Sequence, residues 1–198
     1  DEGDIDLKDG VYLTSQTGEA DCVTIAPSFP IKVFYSSGDG PGTVVRGFTL
    51  VGSQSVSDPG VGMFLNQSDV VVENCEFRRL ESLIQGGGVH MEGDSAPTFT
   101  NCVFDSCSSM GDGGALSGIY AEPVFEQCVF VENSAGYDGG AAWFGDGLSA
   151  VFDECTFSEN SGVSGGSAIA CVSDMLYREA AACTLRNSII AFGTGSAG

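Results

Sequence analysis

Three side chains that could bind a ligand lie one and then two repeats of 26–27 residues apart in this 198-residue sequence: Phe64, His90 and Trp143. Because strand residues alternate between two faces, we expect these residues on one outer face, in a row that also includes Ser117 and Ile169. Such a row could stack against sugar rings or dock a partner. His90 is the only histidine, and the sequence places no Ser or Cys nucleophile with an Asp partner near it. We therefore assign no catalytic residue.

Two carboxylates suggest a different chemistry. Asp112 and Asp138 each directly precede a Gly pair, at the same point of successive repeats. If these turns stack, the carboxylates lie about 5 Å apart and repel each other, and either Ca²⁺ or hydration would relieve the repulsion. Turn carbonyls, including those at Gly113 and Gly139, could supply further oxygen ligands. The sequence thus indicates a possible calcium site at Asp112 and Asp138 and no other cofactor.

Six of the eight cysteines fall into two groups. Cys171 and Cys183 bracket an insertion and are the best candidates for a disulfide. Four others occupy one repeat position and predict a buried ladder of small apolar side chains: Cys75, Cys102, Cys128 and Cys155. Packed free thiols and disulfides between ladder neighbours both fit this spacing. This cysteine usage favours an extracellular location.

A repeated sequence motif predicts the short strands that would position all these residues. Each repeat carries a Gly pair, an apolar pair and a Cys-x-Phe triplet, and triplets begin at Cys102, Cys128 and Cys155, 26 and then 27 residues apart. Apolar residues alternate over short runs between Gly, Ser, Asp and Asn clusters, which is typical of strands and turns. The period predicts a stacked all-β architecture. We predict a right-handed parallel β-helix, a solenoid of about seven coils with 26–27 residues and three short strands per coil.

The repeat also predicts which side chains form structural ladders. The Cys-x-Phe triplets add a phenylalanine ladder to the cysteine ladder, and Asn133 and Asn160 are successive positions from which side chains could turn inward and bond turn backbones. The phenylalanine ladder consists of Phe77, Phe104, Phe130 and Phe157.

One domain accounts for the whole chain, residues 1–198. We expect irregular N-terminal coils over 1–41 and regular coils over 42–170. An insertion loop of helix-forming composition follows over 171–183, and a last partial coil over 184–198.

The motifs Gly-Gly-x-apolar, Asn-Cys-x-Phe and x-x-Asn-Ser resemble the repeats of secreted bacterial right-handed β-helix proteins. They are similar to those of chlamydial polymorphic outer-membrane proteins and of the wider pectate-lyase-like superfamily. The resemblance covers about residues 42–170. It implies the fold, whereas the activity is left open, since that group holds adhesins, passenger domains and lyases.

Charge narrows the range of partners. With 27 acidic residues against 7 Lys and Arg, the formal net charge is −20, which disfavours nucleic acid and anionic lipid. No apolar run approaches the roughly 18 residues that a membrane span requires, so we expect no membrane insertion.

These observations favour a non-catalytic extracellular or cell-surface module of structural or adhesive type. Open solenoid ends would allow head-to-tail stacking into a filament or docking on a larger assembly. The alternative is a carbohydrate-binding or carbohydrate-active protein, such as a polysaccharide lyase or glycosidase, with a neutral glycan as its ligand. Against a lyase, the central coils offer only the adjacent Arg78 and Arg79 as cationic bases.

Overall fold

The computed structural model describes residues 5–26, 32–52, 54–55, 59–146, 149–172 and 181–191. Within these residues the chain winds through four parallel sheets in turn, and each strand pairs with its equivalent one coil away. Three sheets have seven strands each, matching the predicted three strands per coil. The fourth has five strands of two residues each, and the sequence analysis did not anticipate it.

We number the sheets in the order in which a coil passes through them. Sheet 1 contains Ile5–Asp6, Phe34–Ser37, Met63–Asn66, Val89–Ser95, Leu116–Ala121, Ala142–Gly145 and Ile169–Cys171. Sheet 2 contains Tyr12–Thr14, Val44–Arg46, Val71–Glu73, Thr98–Thr100, Val124–Glu126, Ser149–Asp153 and Ala182–Arg186. Sheet 3 contains Thr24–Ile25, Thr49–Val51, Glu76–Arg78, Val103–Asp105, Val129–Val131, Thr156–Ser158 and Ile189–Ala191. Sheet 4 contains Gln54–Ser55, Glu81–Ser82, Ser108–Ser109, Ser134–Ala135 and Ser161–Gly162, and a 3-10 turn spans Ala20–Cys22.

The core consists of inward ladders, one residue per coil. In sheet 3, Phe77, Phe104, Phe130 and Phe157 are fully buried, and their rings stack at centroid distances of 4.7–4.8 Å. A second stack in sheet 2 meets the first edge to face, with centroids about 6 Å apart, and consists of Phe99, Phe125 and Phe152. Stacking within a ladder and edge-to-face contact between ladders are the two favoured arrangements of aromatic rings.

The cysteine ladder lies at the corner between sheets 2 and 3. Cys75, Cys102, Cys128 and Cys155 are buried and free. Each thiol has two carbonyl acceptors for its one proton, over 3.3–3.8 Å: the carbonyl two residues before it and a sheet 2 carbonyl of the preceding coil. The thiols therefore fill a narrow corner and satisfy backbone acceptors, which favours packed thiols over pairing.

A polar ladder runs along the corner between sheets 3 and 4. Nδ2 of Asn133 donates to the carbonyl of Phe104, and Nδ2 of Asn160 donates to that of Phe130, both over 2.9 Å. Oδ1 of Asn133 accepts from the backbone N–H of Cys107, the next rung, over 2.9 Å. The side chains thus link coil to coil through the backbone, and the buried Cys107 occupies the same ladder, a position that the sequence analysis missed.

At the C-terminal end, Cys171 and Cys183 form a disulfide with their Cα atoms 6.1 Å apart. Residues 173–180 of the predicted insertion and residues 192–198 of the predicted last coil lie outside the described residues.

Candidate functional site on the outer face of sheet 1

The outward row of sheet 1 contains three of the predicted binding residues in one register. His90 pairs with Phe64 on one side and Ser117 on the other, and Ser117 pairs with Trp143. Val89, Leu116 and Ala142 beside them are buried, as an inward-pointing set requires. The prediction of Ile169 in this row is wrong, because Ile169 pairs with Ala142, whereas Ala170 lies next to Trp143. The repeat is 27 residues long at this point, one more than the row assumed.

His90 lies beneath the surface rather than on it. Its Nδ1 atom lies 2.7 Å from Oγ of Ser117, and its Nε2 atom lies 3.6 Å from Oε2 of Glu92. The backbone at Gly60 packs on it so closely that an added Cβ there would lie 2.9 Å from the His90 Cβ. His90 is thus recessed by a turn of the preceding coil, and that turn needs glycine at a φ of +67°.

Ser117, His90 and Glu92 form a hydroxyl–imidazole–carboxylate array that the sequence analysis did not foresee. A nucleophilic serine must reach a substrate carbonyl. Ser117 is fully buried, and a Cβ on Gly86 would lie 2.5 Å from its Oγ atom. The array therefore orients the imidazole and does not present a nucleophile.

An aromatic pair forms the accessible part of this face. The Tyr35 and Phe64 rings stack with centroids 5.8 Å apart, and Phe64 lies 5.4 Å from the His90 ring. Nζ of Lys32 lies over both aromatic rings, 4.7 Å from the Phe64 centroid. Nδ2 of Asn66 donates to Oε1 of Glu92 over 2.7 Å beside them. Apolar ring faces edged by a cation, an amide and a carboxylate suit a ligand with both apolar and hydroxyl faces.

Trp143 does not join that pair. The Ser117 rung separates it from His90, so the two side chains lie two coil steps apart, about 10 Å. Its ring folds along its own strand, and a Cβ on Gly145 would lie 2.5 Å from Cη2. Trp143 is half-buried in this way, and Tyr35 takes the place in the aromatic surface that the sequence analysis gave to Trp143.

The predicted calcium residues stack as expected, and the carboxylate of Asp112 is already bonded. Oδ1 of Asp112 accepts from the backbone N–H of Asp138 over 3.0 Å, and Oδ2 accepts from Nε2 of Gln85 over 3.3 Å. Within the described ranges, no three His, Cys, Asp or Glu side chains converge to hold one metal ion. Calcium at Asp112 and Asp138 would depend on main-chain oxygens and water, and it stays a prediction.

A cavity of about 330 Å³ lies where the 3-10 turn meets sheets 2 and 3. Its polar lining comes from Glu19, Asp21, Glu76, Asn74 and Asn101. Nδ2 of Asn101 donates to Oδ1 of Asn74, and Nδ2 of Asn74 donates to the carbonyl of Gly18. These amides are engaged in holding the turn on the solenoid.

Parallel strands stacked in register through every coil define the molecule as a parallel β-helix solenoid. The family described as the right-handed β-helix region matches residues 43–197, and the chain belongs to that family. This confirms the predicted fold. No curated protein and no solved structure matches the chain. The described residues include no helix with the length and apolar character needed to cross a membrane.

Proposed function

We propose that this β-helix is a non-catalytic structural or adhesive module of an extracellular assembly, and that its copies stack end to end. The observation that carries the proposal is the exposure of the apolar side chains at the two ends of the core ladders. Within the described residues, Ile5 begins the inward ladder of sheet 1 and is 42% exposed, and Leu185 and Ile190 end the ladders of sheets 2 and 3 and are each 39% exposed. Their neighbours Phe152 and Phe157 are fully buried.

The two ends offer equivalent surfaces. Leu13 and Ile25 begin the same ladders that Leu185 and Ile190 end, so the first coil of one copy can continue both ladders of another. All four side chains are aliphatic; Leu13 and Ile25 pack against the core, and Leu185 and Ile190 are exposed. The strands are parallel, so each end also offers backbone groups to the other. A contact of this head-to-tail kind does not close and generates a filament.

Charge sets the conditions for this stacking. At a net charge of −20, two copies repel each other, and salt screens that repulsion. Contact through the ends brings together less of the acidic flanks than contact side by side. We therefore expect end-to-end association to strengthen as the salt concentration rises.

The disulfide supports the extracellular part of the proposal. Disulfides persist in oxidising compartments, and Cys171 and Cys183 are joined at the last coil. A covalent link at this end holds the outermost strands of sheets 1 and 2 together, where no further coil stacks within the described residues.

Light scattering with electron microscopy across a concentration and salt series tests the proposal. We expect particles that lengthen with salt, and loss of lengthening in Ile190→Asp, which puts a charge on the exposed end. The matched control is Val129→Asp, an exposed position on the outer side of sheet 3 in a central coil. A wild-type protein that stays monomeric at high concentration in every salt would refute end-to-end stacking.

The Tyr35–Phe64 surface supports a second candidate, binding of a neutral glycan. Stacked ring faces beside Asn66 and Glu92 offer both apolar and hydrogen-bonding contacts to sugar rings. A glycan array with wild type, Phe64→Ser and the control Val129→Ser tests it. Binding that Phe64→Ser abolishes supports this candidate, and binding unaffected by Phe64→Ser rejects it.

A further inference from the structure

A second surface lies at the corner that follows sheet 4, where four successive coils each place one large apolar side chain in solvent. Ile84 is 40% exposed, Met110 62%, Tyr137 59% and Val163 80%. Their spacing of 26, 27 and 26 residues lies within one residue of the coil step, which sheet 4 sets at 27, 26 and 27 residues. We call these four residues the apolar edge. Exposed apolar residues scattered singly are ordinary, whereas a contiguous row is typical of an interaction site.

The backbone brings the members of the edge close together. Sheet 4 stacks Ser82 on Ser109 and Ala135 on Gly162, so successive corners lie one coil step apart, about 4.8 Å. The apolar side chains alternate between the second and the first residue after each sheet 4 strand, which makes the row staggered. A Cβ on Gly111 would lie 2.0 Å from the Ile84 carbonyl oxygen, and a Cβ on Gly136 would lie 2.1 Å from that of Met110. Glycine next to the apolar residue thus lets the corners stack tightly and leaves the large side chains outside.

Hydrogen bonds fix the edge from coil to coil. The N–H of Met110 donates to the carbonyl of Ser82, that of Tyr137 donates to Gly111, and that of Ser164 donates to Tyr137, over 3.0–3.1 Å. The edge is therefore a preformed row of about 14 Å, three coil steps long. A partner that binds it meets little backbone reorganisation.

The charge around the edge identifies the partner's chemistry. Asp112 and Asp138 lie directly beside Met110 and Tyr137, and no Lys, Arg or His occurs between His90 and Arg178. A second copy would bring two such acidic flanks together, which is unfavourable. A basic segment would find complementary charge along one side of the apolar row.

We propose that the apolar edge docks a basic, amphipathic helical segment of another protein. A helix advances 5.4 Å per turn, close to the coil step of about 4.8 Å, so apolar residues three and four positions apart can follow the edge. Lys or Arg on its flanks would face Asp112 and Asp138. This surface is separate from the solenoid ends, and its use does not depend on end-to-end stacking.

The test uses a labelled synthetic helical peptide of Leu and Lys, with Leu at positions i, i+3, i+4 and i+7, in a fluorescence anisotropy titration. We expect saturable binding that weakens as salt rises, and no binding of the equivalent Leu and Glu peptide. The triple variant Met110→Ser, Tyr137→Ser, Val163→Ser should weaken binding at least tenfold, on the order of 1.4 kcal/mol. A matched triple variant removes exposed apolar residues elsewhere and should bind as wild type: Val11→Ser, Tyr12→Ser, Val129→Ser.

A second variant tests the charge separately. Asp112→Asn with Asp138→Asn should weaken binding and flatten its salt dependence, with the apolar residues intact. Equal binding to both triple variants would show general attraction to an acidic protein and overturn the proposal. Absence of peptide binding, or a side-by-side dimer of wild type that the edge variant abolishes, would also overturn it, the latter in favour of a second copy as the occupant.

Discussion

Nδ1 of His90 lies 2.7 Å from Oγ of Ser117, the next rung of the same ladder, and this contact fixes the imidazole against Glu92. The interaction with His90 is the main reason why the pKa of Glu92 lies below its usual value, and the Asn66 amide and Lys32 lower it further. With a proton on Nε2 facing Glu92, the Ser117 hydroxyl donates to Nδ1. His90 and Ser117 are thus a buried pair, joined to the half-exposed Glu92, that supports the neighbouring Phe64 surface.

This network predicts a pH-dependent contribution to stability. Because the folded-state pKa of Glu92 is lowered, its ionised form stabilises the fold above the ordinary glutamate pKa, about 4.3, and the gain is lost as pH falls through the folded value. Glu92→Gln should be less stable than wild type at pH 7, and the gap should shrink at pH 3. Urea unfolding at pH 7, 4 and 3 measures it. Glu122→Gln, at an exposed carboxylate, is the control, and a gap for Glu92→Gln that does not change with pH would contradict the expectation.

The free cysteines should differ sharply in reactivity. Burial raises the pKa of Cys75 to about 11 and that of Cys107 to about 12. Because the thiolate is the reactive form, both cysteines should react slowly, since the reagent cannot reach them and little thiolate is present. Cys22 is exposed. Titration with a disulfide reagent at pH 8 should find one fast thiol in the folded protein and six in urea. Cys22→Ser should abolish the fast phase, and fast modification of a second thiol would show that the ladder opens.

The sequence was sufficient to predict the core ladders but not to predict which outer side chains the neighbouring coils cover. Spacing of the Cys-x-Phe triplets identified the stacked rings of Phe104 and Phe130, because identical residues at one period must stack in any solenoid. Burial of His90 was not predictable, since its cover comes from the Gly60 turn of the preceding coil. The error at Ile169 arose because one coil is a residue longer, and a slip of one residue reverses the face.

The sequence itself contains a pattern that indicates the apolar edge. Ile84, Met110, Tyr137 and Val163 recur within one residue of the coil step in turn sequences, where large apolar residues have no core to fill. Their residue types differ, and aligning the repeats on identical residues therefore passes over them. Only the position of the corner, outside sheet 4, establishes that the four side chains share one exposed row.

Position along the solenoid should determine the cost of losing a core side chain. Phe104 is fully buried between Phe77 and Phe130, with ring centroids 4.8 Å away on each side. Phe104→Ala should lower the free energy of unfolding by about 3–5 kcal/mol. Ile190→Ala removes an end rung that is already 39% exposed and should cost about 1 kcal/mol or less. Urea denaturation compares the two, and equal costs would mean that the end rung is covered in solution.

Substitution of two glycines with nearly the same backbone conformation should distinguish the cost of conformational strain from the cost of a steric clash. Gly10 has a φ of +75° with open space around its missing Cβ, whereas Gly113 has a φ of +67° with the Leu116 carbonyl oxygen 2.0 Å from that position. Gly10→Ala should lower the free energy of unfolding by about 1–2 kcal/mol, the cost of a left-handed conformation for an L-residue. Gly113→Ala must in addition displace the strand that begins at Leu116, so it should lower the free energy of unfolding distinctly more. We also expect it to disturb the outer row at Ser117. Thermal and urea unfolding of both variants measure the difference, and equal costs would mean that the turn before sheet 1 moves freely, so that it does not hold the outer face in place.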